Sequence, residues 1–325
     1  MVENLDTLLE ASRQLGWKNF GKKIVFYAPS FAPYTNTHFH ASPWDFPSIS
    51  ITGTACALKC KHCDGRVLGT MIPATTPETL LEVCQKIKAK GGRGCLISGG
   101  CQSDGTVPLH QFLPVIKQIK DELGLTLVIH TGLVDDEMAK ALADARIDAA
   151  LLDIIGSQET IEELYNLNVS IDAYEISLKA LSEAGIPFVP HVLVGLHYGT
   201  LKGELGALEM ISRHNPHGVV IIALTPLKET LIADVLPPPA EDIAWVLAKA
   251  RLMMPDIPIA LGCMRPKGAH RRKTDVLAVR AGINAIAYPV AEAMDLAESM
   301  NIQLKYSTQC CSQIYEDFVQ EDFKQ

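Results

Sequence analysis

From residue 48 onward the chain alternates short β-branched runs with longer segments in which apolar residues recur every three or four positions. That alternation is the signature of parallel strands joined by crossover helices. Eight runs read as strands: 48–52, 94–98, 126–131, 148–154, 188–194, 218–224, 258–262 and 284–288. Helical periodicity falls between them, as at 77–89, 109–123, 135–145, 173–184 and 241–253. Several strands end in Ser-Gly-Gly, Thr-Gly, Ile-Gly, Val-Gly or Leu-Gly, so glycines mark the C-terminal mouth where barrel enzymes build their sites. Eight such units predict an α/β chain folded as a complete (β/α)8 barrel of the TIM type over residues 48–301. Residues 1–47 hold a helical stretch at 5–15, a strand-like run at 23–27 and an aromatic loop with His38 and His40, and read as an N-terminal cap. Residues 302–325 read as a C-terminal extension.

Composition narrows the function classes. Charged residues make up 20% and hydrophobic ones 48% of 325 residues, which excludes a disordered, collagenous or coiled-coil chain. The formal charge of −8, with no long basic block, argues against nucleic acid as a partner. The longest clean apolar run, 219–224, is far short of the ~18 to 20 residues needed to span a bilayer, and the first residues lack a signal-peptide pattern. The expectation is a soluble, cytoplasmic protein without a membrane partner.

Nine cysteines change the picture, because their odd number and clustering do not suit a disulfide framework. Directly after the first barrel strand comes Cys56-Ala-Leu-Lys-Cys60-Lys-His-Cys63. Three thiolates on one short loop can bind three corners of a four-iron, four-sulfur (4Fe–4S) cluster and leave the fourth iron without a protein ligand. Two other readings of the same loop are a structural zinc site, which needs a fourth protein ligand, and a cluster that only passes electrons.

The Cx3Cx2C loop resembles the signature of radical S-adenosylmethionine enzymes, with His62 where an aromatic residue is usual. The resemblance implies a radical-SAM (β/α) barrel, a 4Fe–4S cluster on Cys56, Cys60 and Cys63, and S-adenosylmethionine chelated at the open iron. Reductive cleavage of that cofactor, fed by a low-potential electron donor, would give a 5′-deoxyadenosyl radical that abstracts hydrogen from an unactivated C–H bond. The resemblance extends to Ser98-Gly99-Gly100, whose backbone would meet the methionine moiety. It also covers Leu152-Asp153, whose carboxylate would face the ribose, and the Gly195 motif beneath the adenine. Asp153 is alternatively a helix N-cap.

The segments 250–255, 260–265 and 281–286 are similar to the last third of biotin synthases. Those enzymes draw sulfur from a second cluster, and its ligand positions fall here on Cys95, Val128, Val189 and Ala260, of which only Cys95 can ligate iron. Other cysteines lie near the expected mouth: Cys101, Cys263, Cys310 and Cys311. They are candidates for an auxiliary, sulfur-donating 4Fe–4S cluster, or alternatively small buried hydrophobes, the reading preferred for Cys84 and Cys95. The whole pattern resembles the biotin synthase homologues that include one component of the two-protein lipoyl synthases. That implies sulfur insertion into an octanoyl chain on a lipoyl-carrier protein, with a second radical S-adenosylmethionine protein as co-worker. Two alternatives stay open: another C–H or rearrangement reaction in cofactor biosynthesis, and a non-catalytic iron–sulfur protein. His130 and His191 read as cavity groups or as hydrogen-bonded barrel histidines. Arg265, Lys267, Arg271 and Arg272 read as a basic rim that could meet an acidic carrier.

Overall fold

The computed structural model describes residues 4–30, 34 and 42–319; His38 and His40 lie outside them. In chain order the strands are β1 (Lys23–Tyr27), β2 (Ser48–Ser50), β3 (Ile72–Pro73), β4 (Gly94–Ser98), β5 (Thr126–His130), β6 (Ala149–Asp153), β7 (Phe188–Val194), β8 (Val219–Ala223), β9 (Ile259–Leu261), β10 (Ala285–Ala287) and β11 (Gln303–Ser307). The helices are α1 (Leu5–Phe20), α2 (Pro77–Ala89), α3 (Leu113–Leu123), α4 (Asp136–Asp144), α5 (Gln158–Leu164), α6 (Asp172–Glu183), α7 (Glu204–Ser212), α8 (Ala240–Met253), α9 (Ala269–Arg280), α10 (Ala291–Ser299) and α11 (Ile314–Val319).

Local chemistry sets these elements. Helix α2 starts where Thr76 and Thr79 cap each other's backbone and Pro77 takes the first turn. Helix α4 starts where the Asp135 carboxylate accepts from the Met138 amide at 2.8 Å. The strands are β-branched and apolar on both faces, as expected of parallel strands covered by helices outside and packed within.

All eleven strands form one parallel sheet in the order β11-β1-β10-β9-β8-β7-β6-β5-β4-β2-β3. Residues from β4 through β8 and from the loops after β2 and β9 line a single cavity, so the sheet is curled. The edge strands β3 and β11 do not pair with each other among the described residues. The chain is therefore a curled half-barrel, where the strand count had predicted a complete eight-stranded one. Two of the three extra strands come from outside the expected barrel, and the third is the short β3 within it. β1, in the segment read as a cap, sits between β10 and β11, and β11 comes from the C-terminal extension. The boundaries expected at residues 47 and 301 thus do not coincide with a break in the sheet.

After β11 the chain enters the lumen. Ile314 lies over Gly218 at the start of β8, the Tyr315 hydroxyl donates to the Asp148 carbonyl at 2.5 Å before β6, and Phe318 packs edge-on against Phe20. Lys305 pairs with Asp317 at 2.6 Å, and Tyr27 donates to the same carboxylate. These contacts close the end of the half-barrel opposite the cysteine loop.

A second fixed point follows β9. The Arg265 guanidinium makes a bidentate pair with Asp275, Nε–Oδ1 2.7 Å and Nη2–Oδ2 2.8 Å, with both side chains fully buried. Arg265 also donates to the Gly262 carbonyl, and Asp275 accepts from the Val290 amide, so one ion pair ties β9, α9 and the turn after β10. Breaking such a pair from one side leaves an uncompensated buried charge, which costs about 3–5 kcal/mol. Asp275→Asn is therefore expected to lower the unfolding free energy by about that amount in denaturant titrations. Asp6→Asn at the exposed Arg280–Asp6 pair should barely move it.

Candidate active site

The cavity holds about 330 Å3 and opens at the C-terminal ends of the strands. Its wall includes Cys56, Cys60 and Cys63 from the loop after β2 and Ser98-Gly99-Gly100-Cys101 from the end of β4. His130, Asp153 and His191 come from β5, β6 and β7, Cys263 from the loop after β9, and Cys310 and Cys311 from the segment after β11.

The cysteine loop is folded tightly on its neighbour. The Thr52 hydroxyl accepts from the Gly100 amide at 2.7 Å and donates to the Ala55 carbonyl at 2.9 Å, while the Ala57 amide donates to the Cys101 carbonyl at 2.8 Å. A Cβ on Gly100 would lie 2.0 Å from the Ala55 oxygen and 2.6 Å from Cys56 Cβ, so glycine is required there. The loop then turns back through Cys60, whose carbonyl accepts from Asp64 at 2.9 Å. The Sγ atoms of Cys60 and Cys63 and a ring nitrogen of His62 all lie within 4.8 Å of one another. The Cys60 thiol is pushed up by its hydrogen bond with Cys63 and by burial; Cys63 is pulled down by Cys60 and the neighbouring His62 ring. Soft sulfur donors already sharing a proton, beside an open cavity, fit an iron–sulfur cluster, whose binding displaces that proton.

Asp153 closes an ion pair rather than a helix. The following helix α5 is capped by Ser157, whose hydroxyl accepts from the Thr160 amide at 3.3 Å. Asp153 Oδ1 lies 3.8 Å from His130 Nε2, and the His130 and His191 rings are 5.8 Å apart. Burial pushes the Asp153 carboxyl up, but the nearby His130 imidazole, with the charges of His191 and His62, holds it at about 2. Burial pushes His130 down, and Asp153, with help from Cys310, raises it above its ordinary value. Burial depresses His191 to about 4, against the pull of Asp153 and a 3.1 Å contact between its Nδ1 and the Val189 carbonyl.

Not every expected site residue reaches the cavity. Gly195, at φ +71°, packs under Pro238, and its amide donates to the buried Glu204 carboxylate at 2.8 Å, outside the cavity lining. The four further cysteines divide. The Cys101 thiol, raised to about 12 by burial and then by Cys56, Asp153 and Cys63, belongs to the first cysteine loop. Cys263, raised to about 11, responds to burial and then to Cys310, and Cys311 responds to Cys310 and Cys263. Those three, from the loop after β9 and the segment after β11, line the same cavity. Cys95 points the other way: its sulfur lies 4.0 Å from that of Cys84 on α2, while Leu96 faces the cavity. Of the expected basic rim, Lys267 and Arg272 are exposed, but Arg265 is the buried partner of Asp275 and Arg271 donates to the Arg265 carbonyl at 3.0 Å. The bridging role of Thr52 and the His130–Asp153 pair escaped sequence reading, because both need the relative placement of two strand ends.

Residues 50–205 match the Radical SAM superfamily. Biotin synthase of Synechococcus elongatus is 28% identical over 253 residues, covering 74% of this chain and 76% of that protein. Biotin synthase of Marinobacter nauticus is 26% identical over 291 residues, covering 83% and 80%. The crystal structure of methylornithine synthase superposes with a TM-score of 0.64 at 16% identity over 98% of this chain and 93% of that one. That of a maturase of the FeFe-hydrogenase superposes with a TM-score of 0.65 at 18% identity over 96% and 72%. The superfamily match takes in the three-cysteine loop at the mouth of the curled parallel sheet, and it supports radical SAM chemistry, which uses a 4Fe–4S cluster and S-adenosylmethionine. Within that superfamily the similarity to biotin synthases, over about three quarters or more of each chain, supports the biotin synthase branch. No helix among the described residues is long and apolar enough to cross a membrane.

The buried neutral His191 gives a pH test of the cavity. Its folded pKa of about 4 lies below the ordinary ~6.5, so between these values the unfolded chain binds more protons. Its contribution to stability is fully present above about pH 6.5 and is lost as the pH falls toward 4. His191→Gln is expected to flatten the fall in unfolding free energy across that interval, measured by denaturant titration of the cluster-free protein; an unchanged slope would place the loss elsewhere.

Proposed function

We propose that this protein inserts sulfur into an unactivated C–H bond of an octanoyl chain carried on a lipoyl-carrier protein, as one component of a two-protein lipoyl synthase. The observation that supports this reading is one largely apolar cavity whose wall includes the cysteines of the loop after β2 and also Cys263, Cys310 and Cys311. Cys56, Cys60 and Cys63 hold the first cluster on the β2 side, and the Gly99-Gly100 turn and Asp153 hold the S-adenosylmethionine beside it. Bound together, that cluster and cofactor supply hydrogen-atom abstraction. Cys263 from the loop after β9 and Cys310 and Cys311 from the C-terminal segment hold the sulfur-supplying auxiliary cluster, with Cys101 left to the first site. Leu151, Leu193, Val220 and Ile222 line the space between, where an alkyl chain excludes water and gains about 25 cal/mol per Å2 of apolar surface buried. A low-potential electron donor and a second radical SAM protein complete the reaction.

Asp153→Asn is expected to weaken S-adenosylmethionine binding about 10- to 100-fold with iron content unchanged, since it removes a charge-assisted hydrogen bond without touching a ligand. Equal affinity would return Asp153 to a purely structural pairing with His130.

The sulfur assignment is tested by mass spectrometry of an octanoylated carrier peptide incubated with the anaerobically reconstituted protein, its co-worker and a reductant. Replacing Cys263 together with Cys310 and Cys311 by Ala should abolish sulfur transfer and lower iron by one cluster while 5′-deoxyadenosine still forms. Replacing Cys56, Cys60 or Cys63 should abolish both. Sulfur transfer surviving in the triple variant would leave another C–H reaction of cofactor biosynthesis as the better reading, and no 5′-deoxyadenosine from the wild type would favour a non-catalytic iron–sulfur protein.

A further inference from the structure

The histidine inside the cysteine loop has an arrangement that packing alone does not explain. A ring nitrogen of His62 is within 4.8 Å of the sulfurs of both Cys60 and Cys63. Its Nδ1 is buried and has no hydrogen-bond partner. A buried polar atom left unpaired costs about 1–3 kcal/mol, a cost that a hydrocarbon ring at the same position would avoid. The ring is also held in place. Just before it in the chain the Lys59 carbonyl accepts from Asn166 at 3.1 Å and the Lys61 amide donates to the Leu164 carbonyl at 2.9 Å. Its face rests on Tyr165, centroids 5.1 Å apart and planes inclined at 55°. The imidazole is positioned beside two thiol ligands, interacts with Cys63 and has a buried Nδ1 without a partner, and a cluster on those ligands brings several sulfur acceptors.

We propose that His62 donates a hydrogen bond to the sulfur of the cluster held by Cys56, Cys60 and Cys63 and thereby raises its reduction potential. Adding an electron increases the negative charge on the cluster sulfurs, so a fixed N–H dipole stabilises the reduced state more than the oxidised one. The side chain acts through the cluster, as a positioning and tuning residue, and needs no contact with substrate. The inference rests on the first cluster alone and is independent of sulfur insertion.

The test is a redox titration followed by electron paramagnetic resonance on the anaerobically reconstituted protein without S-adenosylmethionine, comparing wild type, His62→Phe and His62→Asn. All three are expected to bind the same iron. At a fixed potential near the wild-type midpoint, His62→Phe should hold about tenfold less reduced cluster relative to oxidised, equivalent to a midpoint about 59 mV more negative for a one-electron couple. His62→Asn keeps an N–H donor near the same place and should recover most of that ratio. An unchanged midpoint in His62→Phe with full iron would overturn the proposal and leave His62 as packing. A normal midpoint combined with weaker S-adenosylmethionine binding would overturn it in favour of a contact to that cofactor. Loss of iron in both variants would make His62 a ligand, as in a two-cysteine, one-histidine metal site, and would overturn it too. Should His62→Phe fail to fold, His62→Leu takes its place with the same expected shift.

Discussion

The chemistry of this protein depends on one close approach between two backbone segments. Gly100 lies so near the Ala55 carbonyl that a methyl group would sit 2.0 Å from it, and the Thr52 hydroxyl bonds to both strands of the contact. That approach presses the loop bearing Cys56, Cys60 and Cys63 onto the end of β4. It also carries Cys101 to the same side of the cavity, where the Ala57 amide meets its carbonyl. A looser turn would splay the three thiols, whose loop is otherwise tied to the α5 end through Lys59, Lys61 and His62.

The second constraint is the open ladder. A curled sheet with unpaired edges at β3 and β11 has a lumen that must be filled or lined, since the strands are apolar on their inner faces. The chain fills the lower part with its own C-terminal segment, in which Cys311, Ser312, Gln313 and Ile314 are buried, and leaves the upper part as the cavity. Cys310 and Cys311 reach the site because that segment is the plug. The buried Arg265–Asp275 pair does the corresponding work for Cys263, fixing the loop after β9 from which that cysteine enters the wall. Folding and site assembly are thus one process at this end of the molecule.

Much of this was legible in the sequence where local rules decide. The run at 94–98 is the strand Gly94–Ser98, 188–194 is Phe188–Val194, and 77–89 is Pro77–Ala89, because alternation, capping and helical periodicity each act within a few residues. The cysteine loop and its barrel position were legible for the same reason. What long-range pairing decides was not. Nothing in Lys23–Tyr27 or Gln303–Ser307 says that the two strands lie side by side, 280 residues apart, and a two-residue strand such as Ile72–Pro73 has no period to read. Inward and outward faces differ by a single residue, and Cys95, read as a small buried hydrophobe, packs outward beside Cys84. Arg265 looked like a rim charge because burial of a paired guanidinium depends on Asp275, whose alignment with it comes from the fold of α9 over β9.

The claim that two separate thiol groups face one cavity is open to one direct measurement. Iron and acid-labile sulfide can be counted in the anaerobically reconstituted wild-type chain, with Mössbauer spectra assigning cluster type. About eight irons per chain in two four-iron clusters is the expected result. About four irons, all in one cluster, would contradict it and reduce Cys263, Cys310 and Cys311 to buried residues of the lumen.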